Sequence, residues 1–182
     1  EIEARLACST VVFPRDRLLK PQDIARMRAA GIARIEICAI SFGGPEDEEG
    51  HLDFGSRAHI SEVTSECEKQ GVSIVAMHSP NYAYLDPDDD VRKRAVARGV
   101  VAAKVSEEMG AGVMVCHLAG ERLCYGTDVQ TEKSVTEMLR QLEDHSIRLT
   151  IENGTDLAGF ADFVDKIGSA QLGMIVDIGH TR

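Results

Sequence analysis

What the sequence lacks narrows it first. No apolar run approaches the roughly 20 residues that a membrane-spanning helix needs, and no signal peptide is visible. There is no CxxC pair. The five cysteines, Cys8, Cys38, Cys67, Cys116 and Cys124, are odd in number, and Cys8, Cys38 and Cys116 lie inside apolar runs. They read as small buried hydrophobes in a reducing compartment, so the expected location is cytoplasmic. No Lys/Arg cluster offsets the acidic balance of 30 Asp and Glu against 20 Lys and Arg, a net charge of −10. That weighs against a nucleic-acid partner. The densest acidic runs, Glu46 to Glu49 and Asp86 to Asp90, read as solvated loops or helix starts. Low-complexity segments, linkers and composition breaks are missing too, so residues 1–182 read as a single domain.

What is present is alternation. Short β-branched apolar runs at 6–13, 32–40, 72–77, 113–116, 147–151 and 172–176 read as strands. Helical patterns separate them. Pro21 opens the first helix and Gly31 ends it, while Gly71 ends a second that starts near Ala58. Asp86-Pro87 is the expected N-cap of a long third helix reaching Met109. Val135, Met138, Leu139 and Leu142 form the apolar stripe of a fourth, and Leu157, Phe160, Val164 and Ile167 that of a fifth. Residues 41–57 and 120–131 read as loops. Six such units predict right-handed βαβ crossovers and a parallel sheet. The turn after the first strand, Pro14-Arg15-Asp16-Arg17, has no glycine, against a dinucleotide-binding open sheet. The expectation is therefore an α/β fold, a (β/α)8 TIM barrel truncated after its sixth strand, because whole barrels typically take about 250 residues.

One pattern recurs where strands end. The second strand carries Glu36. The third leads to His78, the fourth to His117, the fifth to Glu152 and the sixth to Asp177, with His180 three residues on. In parallel α/β folds these ends face one crevice. Carboxylates gathered there repel one another and lose hydration, and a divalent cation resolves both costs. Carboxylates with imidazoles suit Mn, Mg, Co or Zn. Cys116 precedes His117 and so points to the opposite face. His51, His59 and His145 read as surface residues or helix-end partners, and Met77 and Met114 as core filler.

The set His78, His117, Glu152 and Asp177-x-x-His180 resembles the xylose isomerase-like TIM-barrel superfamily, which holds sugar and sugar-phosphate isomerases and epimerases as well as the endonuclease IV class. The resemblance implies one divalent ion held by Glu152 and Asp177, with His78, His117, His180 and Glu36 facing a small sugar or sugar phosphate. It implies proton transfer through a cis-enediolate with Glu152 as base, and a homo-oligomer as a common state. Its seventh and eighth strands, with a further histidine and glutamate, have no counterpart in the sequence. An endonuclease IV-like enzyme would use the same residues on a zinc cluster. Against it, His117 is followed by Leu118-Ala119-Gly120 and Glu152 by Asn153-Gly154-Thr155. A non-catalytic sugar-binding barrel is the third reading.

Overall fold

A computed structural model describes residues 6–40, 50–117, 129–152 and 156–178. Within these, six strands form one parallel sheet in sequence order: β1 (Cys8–Ser9), β2 (Arg34–Cys38), β3 (Ser73–His78), β4 (Val113–Cys116), β5 (Arg148–Glu152) and β6 (Leu172–Ile175). The helices between them are α1 (Pro21–Ala29), α2 (Arg57–Gln70), α3 (Asp89–Glu108), α4 (Val129–Gln141) and α5 (Leu157–Ile167). Parallel neighbours require a crossover, and each helix supplies one.

The caps explain most of the boundaries. Ser56 accepts a hydrogen bond from the His59 N–H at the start of α2, and Gly71 closes that helix at φ 64°, where a side chain would be strained. The expected cap of α3 moves by two residues. Asp86 spends its carboxylate on the Asp88 N–H, and Asp88 caps the helix through the N–H groups of Asp90 and Val91. Helix α4 begins at Val129, inside the segment that reads as loop.

The first strand is much shorter than the apolar run at 6–13 suggests. Ser9 accepts from the Val11 N–H and turns the chain into a 3-10 turn, Thr10–Val12. Thr10 then accepts from the Cys38 N–H at 2.9 Å and meets His51 Nδ1 at 2.7 Å. The other ring nitrogen of His51 bonds the Pro14 carbonyl. His51 is thus fully buried, and burial pulls its imidazole below the usual value. His59 is buried as well, its Nε2 bonded to the Leu19 carbonyl oxygen. The surface positions expected for both are therefore corrected. Their polar neighbours in sequence conceal the backbone carbonyls that receive them inside. His145, by contrast, pairs with Glu107 near a helix end, as expected.

Register sorts the sheet into two faces. Ile37, Met77, Met114, Leu149 and Leu172 lie in one row across five strands, and all are almost wholly buried. The next row up holds Cys38, His78, Val115, Thr150 and Gly173 on the opposite face. Between Ile35 and Glu36 the pairing slips by one residue, leaving Val75 as an extra residue in β3.

The helix layer is closely fitted where α3 passes Tyr84. A Cβ added at Gly99 would stand 2.5 Å from the Tyr84 hydroxyl and 3.0 Å from Met138 Cε. Tyr84 is 1% exposed and has no room to swing aside. Gly99→Ala is expected to destabilise the protein by about 1–3 kcal/mol despite alanine's better helix propensity. Urea unfolding of the two proteins checks it, and an alanine variant as stable as the parent would show that Tyr84 can move.

Candidate metal centre

The site lies at the carboxyl ends of β2 to β5. Strand β3 ends on His78 and β5 on Glu152, and His117 follows β4 directly. The two-residue alternation puts Val115 and His117 on one face with Thr150 and Glu152, beside the row that holds His78. The side chains then meet. His78 Nε2 lies 2.9 Å from His117 Nε2 and 3.4 Å from Glu152 Oε2. His117 Nε2 also bonds Glu152 Oε2. The two imidazole rings stand edge to face, their centroids 4.7 Å apart. Behind them Glu36 Oε1 accepts from His78 Nδ1 at 3.0 Å and from Ser9 Oγ at 3.5 Å.

Burial opposes charge on these groups, and their mutual contacts outweigh it. Burial works against an ionised Glu152, but hydrogen bonds from His117 and His78 hold its carboxyl well below the usual carboxylate range. Burial likewise pulls His78 down, while the bonds to Glu152 and Glu36 raise it to about 9. Without a metal the cluster therefore carries a carboxylate against an imidazolium. Cys116 points the other way, as expected, and burial pushes its thiol up to about 12, so it offers no thiolate.

The sequence profile of the xylose isomerase-like TIM barrel matches residues 24–182. The chain belongs to that family. Solved structures agree on the fold. A D-tagatose 3-epimerase-like protein superposes with a TM-score of 0.71 at 20% identity, covering 96% of this chain and 65% of its own. A xylose isomerase-like TIM barrel protein from Mycobacterium smegmatis, in complex with magnesium, gives 0.73 at 13% identity, covering 96% and 65%. Endonuclease IV from Thermus thermophilus gives 0.61 at 14% identity, covering 88% and 58%. The chain thus spans about 65% of the length of the first two barrels. No curated protein matches it at the sequence level.

Within this family's fold the donor set fits a divalent ion. Three atoms, one each from His78, His117 and Glu152, lie within 4.8 Å of one another. Tetrahedral ligands at about 2.0–2.1 Å from zinc would lie about 3.3 Å apart; the 2.9 and 3.4 Å separations from His78 Nε2 are near that spacing, while His117 and Glu152 are in direct contact and would have to part to admit an ion. Asp177 lies outside this group of three, two residues beyond the end of β6 and half-buried. Continuing the alternation from Gly173 through Ile175 puts it on the face of Glu152. His180 falls outside the described residues, as do Cys124 and Glu46 to Glu49. Ser9 is the member that sequence reasoning misses. The apolar run places it inside a long first strand with no mark of function, and only its pairing with Glu36 across β1 and β2 brings its hydroxyl to the carboxylate.

Proposed function

We propose that the protein is a divalent-metal-dependent isomerase or epimerase acting on a sugar or sugar phosphate. The observation that carries this is the convergence of His78 Nε2, His117 Nε2 and Glu152 Oε2 at the strand ends where such barrels bind small molecules. In this reading Glu152 and Asp177 hold the ion, joined by the two imidazoles that lie at ligand spacing. When bound, the ion supplies Lewis acidity, which acidifies the C–H beside a sugar carbonyl. The residues do the rest. Glu152, ionised at neutral pH, takes the proton from carbon and returns it on the same face to the neighbouring carbon, through a cis-enediolate; epimerisation would need a second acid on the opposite face, the part that the resemblance gives to a glutamate of the eighth strand. The role that the resemblance implies for His180 in this reading is to orient sugar hydroxyls. The net charge of −10 favours a small polar substrate over a polyanion.

The second reading is an endonuclease IV-like zinc enzyme. Two imidazoles and a carboxylate brought together favour it, since imidazole suits zinc well. The acidic balance and the lack of a Lys/Arg cluster in the sequence count against a DNA-binding rim. One experiment separates the two. The protein, incubated with a ketose panel and a divalent ion in deuterium oxide, is expected to incorporate deuterium at a carbon next to the carbonyl and to leave abasic DNA intact. No exchange together with incision of abasic DNA would reverse the assignment.

A further inference from the structure

Glu36 stands beside the three-atom group without belonging to it. Its Oε1 faces His78 Nδ1, and Nδ1 is the ring nitrogen turned away from His117 and Glu152. A neutral imidazole keeps its proton on one nitrogen and its lone pair on the other. A carboxylate on Nδ1 holds the proton there and leaves Nε2 as the donor atom. The arrangement is built into the sheet. Ser9 pairs with Glu36 across β1 and β2 and donates its hydroxyl to the same Oε1. From Glu36 onward the pairing with β3 is regular, and Glu36 lies two residues before Cys38, which pairs with His78, so the side chains of Glu36 and His78 leave the sheet on one face. Both are largely withdrawn from water, with side-chain exposures of 24% and 16%.

We propose that Glu36 is a positioning residue: it fixes the orientation and tautomer of His78 and thereby sets the site's affinity for a divalent metal, acting through the imidazole and not touching the ion. The proposal rests on the metal centre proposed above, and it gives Glu36 a different task from the substrate contact expected from sequence. A carboxylate behind a ligating histidine aligns the ring and makes it more basic, and removing such a partner commonly weakens metal binding about 10–100-fold. Glutamine keeps an acceptor near Nδ1 and loses only the charge. Alanine loses both.

Zinc affinity of the protein, Glu36→Ala and Glu36→Gln, measured by competition with a chelator at neutral pH, gives the first readout. The alanine variant is expected to bind about 10–100-fold more weakly and the glutamine variant to be weakened by a smaller factor. The second readout is the histidine nitrogen-15 spectrum of the zinc-loaded proteins. The parent is expected to show His78 with its proton on Nδ1, slow to exchange with water, and the alanine variant to lose that protection. A residue that merely supports the fold would leave this signal in place. Zinc held equally by parent and both variants overturns the role of Glu36 alone. No zinc in the parent overturns the metal centre and Glu36 together. If the alanine variant fails to fold, the glutamine variant decides: unchanged affinity overturns the proposal.

Discussion

Replacing Glu152 by glutamine is expected to strip the protein of its divalent ion. Glu152 is the carboxylate in the three-atom group, and its Oε2 meets both imidazoles. Its side chain is only 8% exposed, so water screens it poorly. The two imidazoles are neutral donors when they ligate, so the carboxylate carries this group's charge complementarity to a cation. Glutamine has nearly the same shape and still offers a carbonyl oxygen to His117, so the fold is expected to survive, and circular dichroism checks that it does. Elemental analysis after dialysis is expected to find about one divalent ion per parent chain and only a trace in the variant. Deuterium incorporation into a ketose should vanish in parallel, because the same substitution removes the proposed base. Full metal occupancy in Glu152→Gln would sink the assignment of Glu152 as a ligand. Retained metal with lost exchange would leave it as a base alone.

The largest effect on stability is expected at Met114. It lies on β4 with no exposed surface, between Met77 and Leu149 in the buried row that crosses the sheet. Truncation to alanine leaves a void where strands on both sides fix the backbone, so the void cannot collapse. A loss of about 2–5 kcal/mol is expected. Ile175 offers the comparison. It lies on β6, 36% exposed, and Ile175→Ala should cost far less because the exposed part of the side chain loses no burial. Urea unfolding of the three proteins measures both. A Met114→Ala loss below about 1 kcal/mol would mean that the row is loosely packed.

Much of the architecture is legible in the sequence because its physics is local. Six runs of apolar, β-branched residues separated by stripes such as Val135, Met138, Leu139 and Leu142 could form little else than strands and helices in alternation. Gly71 and Pro21 mark boundaries by backbone geometry alone. The site is legible for a related reason: a strand end is the one place where an apolar run hands over to a polar side chain that must face the crevice. What stays hidden is pairing at a distance. Nothing near His51 in sequence reveals Thr10 and the Pro14 carbonyl, 41 and 37 residues away. Nor does the run at 6–13 announce that Ser9 will cap a turn and end the strand. The exchange of Asp86 for Asp88 as the cap of α3 is a competition between two equally suitable carboxylates, decided by the path of the chain around Pro87.

The extra residue in β3 gives the site a dependence on parity. Ile35 faces Ile74 and Cys38 faces His78, three steps along one strand against four along the other. Without that odd step, Glu36 would stand opposite Val75 and His78 would leave the sheet among the helices, with the same letters in the same order. Motifs of this family are therefore only half specified by their residue types. The interval between them must also carry the right oddness or evenness, so a single-residue insertion between Ala76 and His78 would turn the histidine to the other face and silence the site while leaving each of its side chains in the sequence, whereas deletion of Val75 would only make the ladder regular.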